Sequence, residues 1–130
     1  MRLLLDTHIA LWAVTDDLQL SDTARALIVE PANEVFISVA AIWEIAIKHA
    51  VRRRVSAMPV TAETALSDFL ASGFQVLNII PAHILALEAL PGLHGDPFDR
   101  IMVAQALSTP LRLLTRDTKV AAYSDTIMVV

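Results

Sequence analysis

Apolar residues fall along this chain in two kinds of tract. Short continuous runs, "RLLLD" at Arg2–Asp6, "EVFIS" at Glu34–Ser38, "QVLNII" from Gln75 and "LRLLT" from Leu111, have the length and composition of strands buried on both faces. "TIMVV" at the C-terminal end predicts one more. Between these runs the apolar positions recur at helical spacing, over Ser21–Glu30, Val39–Arg54, Thr61–Ala71, Pro81–Leu90 and Pro97–Leu107. Buried strands alternating with helices predict an α/β fold, a three-layer α/β/α sandwich around a mostly parallel central sheet. The punctuation agrees: Ser21 and Thr61 can cap helices, and Pro81 and Pro97 suit first helical positions.

Length and composition narrow this picture. With 130 residues, no repeat and no Gly/Ser linker, the expectation is one domain over residues 1–130. The apolar fraction is 55%, above the roughly 45–50% usual for globular chains, so part of that surface is expected to meet a partner. A membrane span is not expected. The longest apolar candidate, Ser38–Ile47, contains Glu44 and falls short of the roughly 20 residues needed. Three leucines before Asp6 are too few for a secretory signal. The absence of cysteine removes disulfides, thiol catalysis and sulfur-based zinc sites, and a cytoplasmic location is the simplest expectation. The net charge of −4 gives no overall basic field for a polyanion. One basic concentration, "KHAVRRR" at Lys48–Arg54, could form a local patch or simply complement a helix C-terminal dipole.

The candidate chemistry is acidic. Asp6 directly follows one predicted strand and Asp117 follows another, and in open α/β sheets ligands bind at the carboxyl ends of strands, where strand order reverses. Each could equally cap a short helix, one starting at Thr7 and one containing Lys119–Ala122. Glu44 stands among Ile42, Trp43, Ile45 and Ile47, where an unpaired charge would be costly. Two explanations stay open: an exposed ion pair with Lys48 one turn on, or a ligand site made roomy by Ala40 and Ala41. In "HGDPFDR", Asp96 with Pro97 fits a helix start, which leaves Asp99 available on the first turn. Four such acids brought together could not all stay ionised without cations. Oxygen-preferring Mg2+ or Mn2+ would fit them, and would suit hydrolysis of a phosphodiester with no nucleophilic side chain.

These blocks resemble PIN-domain ribonucleases, and among them the VapC-like toxins of type II toxin–antitoxin systems. "LLLDTHIALW" resembles the opening strand with its first acid, "SVAAIWEIAIK" the helix with its glutamate, "HGDPFDRIMVAQA" the third block and "LLTRDTKV" the fourth. The resemblance runs in order from Leu3 to Val120. It implies that Asp6, Glu44, Asp99 and Asp117 are catalytic and bind Mg2+ or Mn2+, Asp6 and Asp99 foremost. It implies supporting roles for Thr7, Thr115 and Asp96, and RNA contacts from Lys48, Arg100 and Arg116. An RNA substrate, a cognate antitoxin and a homodimer are the implied partners. His8, His49, His83 and His94 read as capping, surface or core histidines, since their spacing shows no zinc pattern.

Other acid-based enzymes fit less well. A haloacid-dehalogenase-type phosphatase needs a second aspartate two positions after the first, where this chain has His8. A phospho-accepting receiver needs one closing a middle strand, where "QVLNII" ends in Ile80 before Pro81. A non-cleaving PIN-like module that binds RNA or protein is the alternative from another class.

Overall fold

The computed structural model describes residues 1–51, 58 and 60–130. Among these residues five strands form one sheet, β1 (Arg2–Leu5), β2 (Glu34–Ser38), β3 (Gln75–Leu77), β4 (Arg112–Thr115) and β5 (Met128–Val129). Its order is β3-β2-β1-β4-β5 and every pairing is parallel. Leu3, Leu4 and Leu5 of β1 and Leu113 and Leu114 of β4 are fully buried. Consecutive strand residues point to opposite faces, so this continuous burial means that both faces of the sheet centre are covered, as the α/β/α sandwich requires.

The strand order creates the place where a site can form. The chain steps outward from β1 to β2 to β3, then returns to lay β4 on the other side of β1. Connections therefore diverge at the carboxyl ends of β1 and β4, the position where open α/β sheets bind ligands. The Asp6 amide donates to the Leu114 carbonyl at 3.0 Å, which carries the pairing one residue beyond β1 and fixes the two strand ends side by side.

Among the described residues seven helices accompany the sheet: α1 (Thr7–Thr15), α2 (Asp22–Val29), α3 (Val39–Ala50), α4 (Ala62–Ala71), α5 (Pro81–Glu88), α6 (Pro97–Ser108) and α7 (Thr118–Ala121). Ser21 and Thr61 cap α2 and α4 through side-chain oxygens, and Pro81 and Pro97 begin α5 and α6. Two expectations change. β3 is a short edge strand with exposed Gln75 and Val76, because with a neighbour on one side only it cannot be enclosed as the central strands are. The stretch after Asp6 forms a full nine-residue helix, which its nearly unbroken apolar run disguised. α3 is described to Ala50, and Arg52, Arg53 and Arg54 of the basic run lie outside the described residues. Among the described residues no helix is long and apolar enough to cross a membrane.

A buried polar tie fixes α3 and α6, which carry two of the acids. Fully buried Gln105 on α6 accepts from the Ser38 hydroxyl at 2.6 Å and donates to the Asn78 carbonyl at 3.4 Å. Ser38 in turn caps α3 by accepting from the Ala40 amide at 3.0 Å. Replacing Gln105 with Leu leaves the buried Ser38 hydroxyl without its acceptor. The expected cost is about 1–3 kcal/mol, read as a lower urea midpoint with an unchanged slope.

Candidate active site

Asp6, Glu44, Asp96, Asp99 and Asp117 line one cleft of about 590 Å3, together with Thr7, Lys48, His94 and Arg116. Three of these acids are helix caps. Asp6 Oδ1 accepts from the Ile9 amide at 3.0 Å and caps α1. Asp96 Oδ1 accepts from Phe98 and Asp99 at 2.8 and 3.1 Å and caps α6. Asp117 Oδ1 accepts from Lys119 at 2.8 Å and caps α7. Capping and site-building are thus the same arrangement, since the amides that anchor each carboxylate also favour its charge.

Glu44 is held differently. Its side chain enters from α3 and is 4% exposed, with Oε1 accepting from the Thr7 hydroxyl and Oε2 from Lys48 Nζ, each at 2.5 Å. The Lys48 pair foreseen from the sequence is present, but its carboxylate end is buried rather than solvated. Ala40 and Ala41 lie in the apolar core and do not border the cleft, so they are not what makes room beside Glu44. Thr115, fully buried at the end of β4, accepts from the Asp117 amide at 3.0 Å, and its hydroxyl favours the charged form of Asp6.

Sequence reasoning missed His94. Its Nε2 lies 3.0 Å from Asp117 Oδ2 and 3.2 Å from Asp99 Oδ2, so the ring bridges two of the acids. Its Nδ1 accepts from the Asp96 amide at 3.2 Å, which places the ring proton on Nε2, between the two carboxylates. One ligand atom each from His94, Asp99 and Asp117 lie within 4.8 Å of one another, compact enough for a cation. In this tautomer His94 is a donor to the carboxylates; binding a cation through Nε2 would require the other tautomer and loss of the Asp96 bond. The available signal was its place in "HGDPFDR", two residues before the cap. Arg100 also departs from expectation. It does not border the cleft, and Nη1 donates to the Pro91 and His94 carbonyls and the Tyr123 hydroxyl at 3.2–3.4 Å, holding the loop that presents His94.

The electrostatics show what the cleft lacks. Burial first, then Asp96, Asp6 and Glu44, push the Asp99 carboxyl up to about 7. Burial also raises Asp6, against the Thr115 hydroxyl and the Ile9 amide. Asp117 moves the other way: desolvation would raise it, but the Lys119 amide and the His94 ring outweigh that and lower it. A hard, oxygen-rich donor set whose central carboxylate resists ionisation fits a divalent cation such as Mg2+ or Mn2+.

A pH dependence follows for the metal-free protein. Asp99 is raised from 3.8 to about 7 on folding, so the folded state binds the extra proton between those values and loses stability as pH rises through that window. The penalty is full above about pH 7 and absent below about pH 4. Asp99→Asn removes it. In chelator, the melting temperature of Asp99→Asn should exceed that of wild type by several degrees above neutrality and by little near the acid end of the window. A difference independent of pH would show that Asp99 ionises freely.

Comparison with known proteins agrees with this geometry. The PIN domain family model matches residues 3–125. Ribonuclease VapC22 of Mycobacterium tuberculosis is 31% identical over 121 residues, which make up 92% of this chain and 90% of that protein. The fold is similar to that of VapBC2 from Rickettsia felis bound to a DNA fragment from their promoter, with a TM-score of 0.69 and 17% identity over 98% of this chain and 96% of that one. It is also similar to VapBC-1 from nontypeable Haemophilus influenzae, with a TM-score of 0.63 and 18% identity over the same shares. With acids from four blocks of the sequence lining a cleft at the switch point of a parallel sheet, and with this match across nearly its whole length, the chain belongs to the PIN domain family.

Proposed function

We propose that the chain is a divalent-metal-dependent endoribonuclease that hydrolyses RNA phosphodiester bonds, and that it acts in the cytoplasm as the toxin of a toxin–antitoxin pair. The observation that carries this reading is the convergence of Asp6, Glu44, Asp99 and Asp117 on one cleft. The relative named a VapC ribonuclease supports RNA as the substrate, and the VapBC neighbours support pairing with an antitoxin. Exposed Trp43 and Ile47 on α3, and Ile84 and Leu85 on α5, supply apolar surface for that partner and for a second copy in a homodimer.

Asp6, Asp99, Glu44 and Asp117 would hold Mg2+ or Mn2+, with Asp6 and Asp99 foremost. When bound, the ion supplies acidification of an attacking water and neutralisation of charge on the phosphate and leaving oxygen. The chain's own groups set the geometry. Thr7 and Lys48 fix both oxygens of Glu44, Thr115 steadies Asp6 and the Asp117 amide, and His94 sets the spacing of Asp99 and Asp117. Among the described residues Lys48 and Arg116 are the lysine and arginine that border the cleft, and they would face the RNA there.

Three measurements test the reading. Purified protein should cut RNA in Mg2+ or Mn2+ and stop in chelator. Asp99→Asn should lower cutting by more than about a hundredfold, beyond the usual loss of a supporting partner, while Asp96→Ser keeps the cap and much of the activity. The reverse ranking would make Asp96 the ligand. Undiminished cutting by Asp99→Asn in a nuclease-free preparation would overturn the assignment, and no cutting by wild type would favour a non-cleaving PIN-like RNA- or protein-binding module. Divalent metal should also raise the melting temperature by linkage to the folded state, and Asp6→Asn should blunt that rise. An identical rise in both would place Asp6 outside the metal site.

A further inference from the structure

One wall of the cleft is not needed to hold a cation. His8 and Trp12 stand one turn apart on α1, their ring centroids 5.7 Å apart and their planes tilted by 51°. The Arg116 guanidinium lies over the Trp12 ring, 5.2 Å from its centroid. All three border the cleft, His8 and Arg116 are exposed, and among the described residues Arg116 makes no ion pair. With five acids along the same cleft, this cation instead stands over an indole, so that a cation–π pair borders the space a substrate would enter.

We propose that this wall is a nucleobase subsite, in which an unpaired base of the RNA, next to the phosphate at the acids, stacks on the Trp12–Arg116 pair beside His8. The proposal rests on the ribonuclease reading and adds the part of the substrate recognised outside the reacting bond. Position supports it. Trp12 belongs to the helix that begins directly after Asp6, and Arg116 immediately precedes Asp117, so the wall and both acids line the same cleft. Chemistry supports it as well. Aromatic rings and guanidinium planes are the surfaces on which proteins stack splayed-out bases, and a base in a duplex cannot offer its face in this way. The subsite therefore selects single-stranded or looped RNA over a continuous duplex. Since every base has a π-face, stacking alone tolerates different bases.

The test uses the full-length chain carrying Asp99→Asn, so that RNA is bound without being cut. The probes are a short single-stranded RNA of mixed sequence and a set of the same RNA with one base at a time removed to leave an abasic ribose. Trp12→Ala should weaken binding of the intact RNA about tenfold, the size of one base–aromatic stack, and Trp12→Phe should restore most of it. At one position, base removal should cost the parent about the same factor and cost Trp12→Ala nothing further. A variant that fails to fold would weaken all probes alike and would not be rescued by phenylalanine. With Trp43 replaced by Phe, Trp12 is the sole tryptophan, and its fluorescence should change with the intact RNA and far less with the abasic one. Wild-type cleavage together with unchanged binding in Trp12→Ala, or equal losses for intact and abasic RNA in a Trp12→Ala protein whose melting shows it folded, would overturn the subsite and leave the ribonuclease reading standing. Neither binding nor cutting of any RNA by the wild type would overturn both. Loss of antitoxin binding alone would overturn the subsite in favour of a protein-docking role.

Discussion

Repulsion among carboxylates at the ends of two adjacent buried strands is the constraint on which the rest of this structure depends. Asp6 and Asp117 are brought together because β1 and β4 pair in parallel across the point where strand order reverses. α3 and α6 then add Glu44 and Asp99, and burial together with the resulting field pushes the Asp99 carboxyl up to about 7. What makes the cluster tolerable is local. Backbone amides at helix starts, two threonine hydroxyls, one lysine and one histidine ring each offset part of the charge. The remainder is what a divalent cation would neutralise.

Much of this was legible in the sequence because it rests on local chemistry. Continuous apolar runs identify the central strands: a strand enclosed on both faces has no polar positions to alternate with. Acids directly after such runs identify the strand ends. Asp96 before Pro97 identifies a helix start and, with it, the turn that carries Asp99. The four acids come from well-separated blocks, and a fold class known in outline was enough to expect them at one end of the sheet.

The parts that escaped depend on contacts between distant segments. His94 gains its place from three bonds, to Asp96, Asp99 and Asp117, of which the last spans 23 residues. Nothing in "LHGD" alone distinguishes it from a loop histidine. Arg100 reads as a cation near an acid, yet the Tyr123 hydroxyl and two loop carbonyls claim it, because its helix turns it away from the cleft. The helix after Asp6 lacks an alternating polar face, and the edge position of β3 is set by strand order rather than by its residues.

Because Asp6, Asp96 and Asp117 each serve a helix start as well as the cleft, the two duties can be separated by a very small chemical change. Asparagine or serine can accept the same amide bonds while carrying no charge. A lineage of this chain could therefore lose its hydrolytic chemistry through one conservative substitution at Asp6, and because burial already disfavours the charge of that carboxylate, its descendant would be firmer rather than weaker. On such a scaffold silent, well-folded relatives would arise readily, and the presence of Asp6 and Asp99 as acids in this chain is a cost in stability set against whatever their charges do.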